Sequence, residues 1–336
     1  MVKIAQVGAG RMGELHARNA TANPRLELTW IVDNDVTRAA ALAVRHGARV
    51  ATFEQMLADR DVKGVVLATS TDALLETGLA CLRAGKAVFS EKPLSLSLEA
   101  LESADLLSDP AAPPLFVAFN RRFDPHFTAL KGRLDAGEIG ALETLHLINH
   151  DPEPPSRDFI PRSGGLFKDF TIHDFDTAAW FLDEPVRELF AWASRLVDPS
   201  IDALGDVDTA KLILKTRSGK LCMISNSRRT GYGYDQRIEA FGSAGALRVD
   251  NVQANAVSRW SEAGMLGSTF HYAFPDRYAE AYRLELDHFA DILLNGQKPR
   301  TGYRSATDAL RLAEAAAESV RKERAIILFV EESGNA

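Results

Sequence analysis

Val2-Lys3-Ile4-Ala5-Gln6-Val7-Gly8-Ala9-Gly10-Arg11-Met12-Gly13 is the stretch on which the fold turns. A short, mostly apolar run ends at Gly8, and glycines at 8, 10 and 13 lead into a helix-like segment, Glu14 to Ala22. Strand, glycine turn and helix in that order match G-x-G-x-x-G, the fingerprint of a dinucleotide-binding unit. The first glycine permits a tight turn, the second lets a pyrophosphate approach the backbone, and the third lets helix pack on strand. Arg11 and Met12, inside the loop, count with the cofactor-binding residues. The helix N-terminus then offers free N–H groups and a positive dipole end to phosphates.

Working outward, Leu26 to Val32 is a second apolar run, and it ends at Asp33, twenty residues beyond Gly13. An acid there accepts hydrogen bonds from an adenosine ribose and repels a 2'-phosphate, so NAD is expected over NADP. Arg38, close behind, keeps NADP open. Alternation continues with a helix at Val36 to His46, strands at Arg49 to Ala51 and Gly64 to Ala68, and a helix at Asp72 to Ala84 stopped by Gly85. A strand at Ala87 to Phe89, a helix at Ser97 to Leu107 and a strand at Leu115 to Phe119 complete it. Repeated strand-helix units predict an α/β, Rossmann-type domain over residues 1–119, a doubly wound parallel sheet. Loops at strand C-termini line the cofactor crevice of such a sheet. That brings Thr69, Ser70 and the turn Ser90-Glu91-Lys92-Pro93 to the edge of the glycine loop.

Past Asn120 the pattern changes, and residues 120–336 read as a second, α+β domain. A helix at Pro125 to Ala136 and a strand at Leu142 to Asn149 precede a long proline-bearing loop, Asp151 to Gly165. The segment from there to Leu182 carries Asp169, His173 and Asp176, whose spacings of four and three place them on one helical face. Because that helix is otherwise rich in Phe and Trp, the face is expected to line a cavity. No carboxylate or thiolate cluster of the metal-binding kind accompanies it, so no metal is expected. Strand-like runs from Val186 to Val249, joined by Ser218-Gly219 and Ser243-Ala244-Gly245, predict a large, mostly antiparallel open sheet. Ala210, Leu212 and Leu214 form an apolar face, whereas Lys211, Ile213 and Lys215 form a mixed one that self-association would cover. Arg277 to Asn295 and Ser305 to Glu323 are helical by period, and a return of the last 35 or so residues to the first domain stays open.

The whole chain has 336 residues, enough for about two domains. Its formal charge of -7 disfavours nucleic acid or an anionic membrane as partner, since either needs a basic face. Cys81 and Cys222 cannot build a disulfide framework, and with no targeting segment or membrane-length apolar run in view, a cytoplasmic protein is expected.

Together GAGRMG at 8–13, SEKP at 90–93, FNRRFDP at 119–125, RSGGLFKDFTIHDFD at 162–176 and SNSRRTGYGYDQRIE at 225–239 resemble the Gfo/Idh/MocA oxidoreductases, and among them the bacterial inositol 2-dehydrogenases. The resemblance covers nearly the whole chain. It implies NAD-dependent oxidation of a secondary ring alcohol of a cyclitol or sugar, most simply myo-inositol to 2-keto-myo-inositol, by a homotetramer packed through the open sheet. Lys92 would be the lysine of the family's EKP motif, and Asp169 and His173 the acid and histidine of its D-x-x-x-H helix. By the same correspondence Asn120, Asp151 and Tyr234 fall where cofactor or substrate is contacted. His173 would accept the alcohol proton, Lys92 would donate to the same oxygen, and Asp169 would orient His173 or bind a neighbouring hydroxyl. Lys92 and His173 can exchange these roles. Ser70 and Leu74 depart from the family's Pro and His, and Asn149-His150-Asp151-Pro152 departs from its His-x-Asn, which leaves the cofactor loop and the preferred stereoisomer open. Oxidation of an aldose or L-sugar, and an NAD-binding sensor without turnover, remain as alternatives.

Overall fold

In the computed structural model, which describes residues 1–328, the first strand β1 (Val2–Val7) runs through the glycine loop into α1 (Arg11–Ala22). Then come β2 (Leu26–Val32), α2 (Val36–His46), β3 (Arg49–Val50), α3 (Phe53–Ala58), β4 (Gly64–Leu67), α4 (Thr71–Arg83), β5 (Ala87–Ser90), α5 (Leu98–Glu102) and β6 (Leu115–Val117). The strands form one parallel sheet in the order β3-β2-β1-β4-β5-β6, so the chain reverses its direction of winding between β1 and β4. Ile4, Ala5, Val65, Val66, Val88 and Phe89 are fully buried, as strands covered on both faces require. Two departures from the sequence reading are local. The helix expected over Ser97 to Leu107 breaks after Glu102 into a 3₁₀ turn at Asp105–Leu107, and α3 was not foreseen; Thr52 starts it with a capping box to Gln55.

Beyond a 3₁₀ turn at Asn120–Phe123 follow α6 (Pro125–Asp135), β7 (Leu142–His150), α7 (Ile160–Ser163), a π-helical turn at Phe167–Thr171 and α8 (Ile172–Leu182). Next are β8 (Val186–Ser194), β9 (Thr209–Thr216), β10 (Leu221–Ser227), β11 (Asp235–Gly242), β12 (Gly245–Val249), the hairpin β13 (Arg259–Ser261) and β14 (Gly264–Leu266), α9 (Phe274–Arg277), α10 (Ala279–Asn295), α11 (Tyr303–Lys322) and β15 (Ile326–Ile327). The large sheet has the order β12-β11-β7-β10-β9-β8-β15, and every pair is antiparallel except β7 with β10. Its inner face carries Leu145, Leu147, Leu189, Ala191, Leu212, Leu214, Cys222 and Ile224, all buried. The expected single helix through Asp169 and His173 is interrupted by the π turn, so the two acids and the histidine do not share one environment: Asp169 and His173 are half-buried and Asp176 is buried.

Two compact units result. One is formed by Met1–Phe123 with Glu280–Leu310, the other by Asp124–Ala279 with the chain from Arg311 to the end of the described residues. Of the C-terminal residues whose packing the sequence left open, 329–336 lie outside the described residues. In the first unit α10 lies on the sheet where Gly64 makes room: a Cβ there would stand 2.8 Å from the Phe289 ring. No helix of the described residues is long and apolar enough to cross a membrane.

Cys81 and Cys222 are both buried, and burial pushes the Cys81 thiol up to about 12 and that of Cys222 higher still. Since the thiolate is the reactive form, the native protein should show no fast reaction with an aromatic disulfide reagent at pH 8, and both thiols should react on unfolding. Rapid labelling of either in the native state would contradict the packing.

Candidate active site

In the first unit the strand ends are aligned. Val7 pairs with Val32 and Leu67, Leu67 with Ser90, and Ser90 with Val117, so Gly8, Asp33, Ala68 and Glu91 all stand one residue beyond a common row, at the reversal in strand order. There ligands bind in open α/β sheets. The three glycines have three reasons. Gly8 has φ +103° and an added Cβ would lie 2.3 Å from Ala68 O; a Cβ on Gly13 would lie 2.3 Å from Gly8 O; a Cβ on Gly10 would meet nothing within 4 Å of protein. Gly10 also caps α1 without a side-chain bond, which leaves the first N–H groups of a 12-residue helix facing that space.

Asp33 does more than was expected of it. Its Oδ2 accepts from Ala9 N at 2.7 Å and its Oδ1 from Asp35 N at 2.8 Å, so the carboxylate clamps the glycine turn while retaining lone pairs for ribose hydroxyls. Arg38 is engaged elsewhere: its guanidinium lies 3.2 Å from Asp35, the acid that caps α2. A groove lined by Val32, Asp33, Val36, Val50, Ala51 and Phe53 offers an apolar bed beside the carboxylate, suited to a flat base. Arg11 is exposed, Met12 and Thr69 are half-buried, and exposed Ser70 caps α4 without a side-chain bond. Asn120 is 2% exposed, yet both atoms of its amide lack a partner. A buried amide in that state fits a ligand group that would satisfy it. The uncapped helix, the open Gly10 and the Asn120 amide therefore all suit a dinucleotide. Glu91 turns the other way, its carboxylate lying 2.6 Å from His16 Nε2 and accepting from Lys92 N at 3.3 Å. Lys92 itself is half-buried.

In the second unit a similar alignment gathers the other residues. His150 on β7 pairs with Ser227 on β10 and with Asp235 on β11. Asp151, Arg228 and Tyr234 each lie one residue beyond that row, at one end of three adjacent strands. Asp151 N donates to Ser227 O at 2.9 Å, and Tyr234 is buried with its ring edge-on to Tyr278 at 6.0 Å. Arg228 brings in Asp169: its Nη2 is 3.6 Å from Asp169 Oδ2, and its guanidinium lies over Phe170 at 5.6 Å. His173 stands one turn beyond Asp169. Asp151, Asp169, His173 and Tyr234 thus belong to one unit, Lys92 and Asn120 to the other.

Sequence reading missed what holds this end in place. One residue inside the same row, Asn149, Asn226 and Gln236 lie side by side and are buried. Asp174 Oδ2 on α8 accepts from Asn149 Nδ2 at 2.9 Å and from Asn226 Nδ2 at 2.8 Å; Thr171 donates to Asn226 Oδ1 at 2.7 Å. Gln236 donates to Asn149 and accepts from the Tyr278 hydroxyl at 3.0 Å. The signal was available as three amides at inward positions of otherwise apolar strands, whereas the buried Arg228 had no such signal among the neighbouring charges of Arg228-Arg229.

Residues 2–117 match the model of the oxidoreductase family with an NAD-binding Rossmann fold, and residues 127–248 match the GFO/IDH/MocA C-terminal domain. The chain belongs to the Gfo/Idh/MocA oxidoreductase family. Among relatives of this family, the inositol 2-dehydrogenase of Rhizobium meliloti (strain 1021) is 40% identical over 97% of this chain and 98% of that enzyme. The structure of a myo-inositol dehydrogenase from Corynebacterium glutamicum superimposes with a TM-score of 0.93 at 35% identity, covering 98% of this chain and 99% of the other. A scyllo-inositol dehydrogenase from Lactobacillus casei, solved with bound NAD(H) and scyllo-inositol, does so with a TM-score of 0.91 at 26% identity, over 97% and 99%. This Gfo/Idh/MocA protein is accordingly an NAD-dependent oxidoreductase, as its glycine loop and Asp33 foretold.

Asp174→Ala strands two buried amide donors at once. The loss should be about 3 kcal/mol of stability, read as a lower urea midpoint at unchanged slope. A loss below about 1 kcal/mol would mean that the network is not what holds α8 on the sheet.

Proposed function

We propose that this enzyme oxidises one ring hydroxyl of a cyclitol with NAD, most simply myo-inositol to 2-keto-myo-inositol, in the cytoplasm as a step of inositol catabolism. The observation that carries the reading is the polar end of the large sheet, where Asp151, Asp169, Tyr234 and the Arg228–Asp169 pair stand together. Such a set suits a small, uncharged, hydroxyl-rich ligand. A carboxylate substrate would be repelled by the two acids, and the cation there is already buried against Asp169. An apolar one would leave polar groups desolvated at roughly 1 to 3 kcal/mol each. The 40% identity to an inositol 2-dehydrogenase supports the same substrate class.

Bound NAD supplies the hydride acceptor. The glycine loop, the α1 N-terminus and Asp33 hold and orient it, and Asn120 offers its amide at the same strand ends. His173 takes the hydroxyl proton. Lys92 donates a hydrogen bond to the alcohol oxygen and so favours its deprotonation, with the converse assignment of base and donor equally compatible with the residues. Asp169, with Arg228 beside it, orients His173 or receives a neighbouring hydroxyl. Preference for another stereoisomer is the second reading, and it draws on Asn149, whose amide is turned inward to Asp174 and is not presented to a hydroxyl.

The enzyme is further proposed to be a homotetramer. The outer face of the large sheet carries Ile213, Leu221, Met223, Phe241 and Trp192, the last 63% exposed and packed on Phe190 at 4.1 Å. An exposed sheet face on which large apolar residues stand among charged ones suits a covered interface.

With NAD as acceptor, kcat/KM should be highest for myo-inositol or scyllo-inositol, lower for D-glucose and negligible for a 2-hydroxy acid. A preference for the hydroxy acid, or no turnover of any polyol, would refute the substrate class. Light scattering at micromolar concentration should give four times the 36.7 kDa chain mass; a monomer would leave the apolar face without a cover.

A further inference from the structure

The face that α10 turns into the first unit carries a carboxyl group that the proposed chemistry does not use. Glu285 is fully buried and neither of its oxygens has a hydrogen-bond partner. It lies three residues after Tyr282 and four before Phe289, a spacing that puts all three on one stripe of the helix. Tyr282 meets the His16 ring edge-on at 6.1 Å, while Phe289 meets Phe89 at 5.7 Å and Phe89 meets His16 at 4.9 Å. Glu285 therefore lies on the helix stripe between Tyr282, which meets His16, and Phe289, which meets the Phe89 ring beside His16. The far ends agree: Asn23, just past α1, donates to Asp287 at 2.9 Å, so the stretch from His16 to Asn23 lies along that from Tyr282 to Asp287.

His16 is also fully buried. Its Nε2 is 2.6 Å from Glu91 Oε1, and its Nδ1 has no partner. Burial, with the charge of Glu91 adding to it, raises the Glu285 acid well above the ordinary carboxyl range. Other ionisable groups nearby are already matched. Asp287 pairs with Arg25 at 3.1 Å and also with Arg283, and His288 Nε2 accepts from Arg300 N at 3.1 Å, with burial lowering its pKa to about 4. If His16 donates its Nε2 proton to Glu91, its Nδ1 is an acceptor, and the neutral Glu285 acid, which makes no direct hydrogen bond to it, has a proton to donate across one water. Moving that proton to Nδ1 would give a carboxylate, an imidazolium and the Glu91 carboxylate. Both arrangements hold the same protons and the same net charge.

We propose that Glu285, as a neutral acid, is a positioning residue for Lys92: it holds His16 in the tautomer that donates to Glu91, and Glu91 in turn fixes the turn on which Lys92 stands. The link to turnover rests on the role proposed for Lys92; the protonation of Glu285 does not. In the infrared spectrum of the full-length enzyme at neutral pH, a protonated-carboxyl stretch should be present and should vanish in Glu285→Gln. The glutamine amide can also donate to Nδ1, so this variant should keep kcat/KM within about threefold. Glu285→Leu, of similar bulk and without a donor, should lower kcat by about tenfold or more and shift the pH midpoint of kcat, with NAD affinity and Tm little changed. Absence of the band, or a leucine variant with the wild-type kcat and pH profile, would overturn the proposal. The infrared comparison holds whether or not the leucine variant folds. Normal turnover in Lys92→Ala would remove the Lys92 role alone and leave the band as it is.

Discussion

Much of the second unit depends on one carboxylate. Asp174, buried on α8, receives the amides of Asn149 and Asn226 from two neighbouring strands, and Thr171 on the preceding turn donates to the same Asn226. In a low-dielectric interior such bonds are strong and a missing one is costly, so α8 cannot rotate or slide without stranding several groups together. Asp169 lies just before this clamp and His173 within it. An apolar interface alone would hold the helix on the sheet yet tolerate small rotations, because packing is less directional than matched donors and acceptors.

The π-helical turn at Phe167–Thr171 belongs to the same arrangement. Such turns insert a residue into the helical register and occur often at functional sites. Here it separates the environment of Asp169, half-buried and 3.6 Å from Arg228, from that of Asp174 and Asp176, which are buried. The acids of one short segment thereby acquire different tasks, one facing a fixed cation and one serving as a structural hub.

The first unit works by close approach. Gly8 and Gly13 are needed because neighbouring carbonyls come within 2.3 Å of where a Cβ would be, and Asp33 reaches back to Ala9 N to hold the turn they form. The carboxylate is thus a structural clamp and a candidate ribose ligand at once. Behind the same sheet edge, Glu91 bonds to His16, and Lys92 follows it directly in the chain, both residues being half-buried.

Periodicity and glycine spacing determined the parallel sheet and the NAD-binding class of the first domain from sequence alone, because local sterics and a two-residue or 3.6-residue repeat dictate them. Leu26–Val32 and Val36–His46 are found at the bounds their pattern implies. Tertiary structure alone decided which polar residues are partners. Asn149 and Asn226 are separated by 77 positions, and only the parallel pairing of β7 with β10 sets them side by side beneath Asp174. The break of the helix after Glu102, the π turn, the passage of Glu280–Leu310 into the first unit and the burial of Glu285 and Arg228 are of the same kind. Each depends on contacts between segments far apart in the chain, and a hydrophobic pattern records that a residue faces inward without recording what it will face.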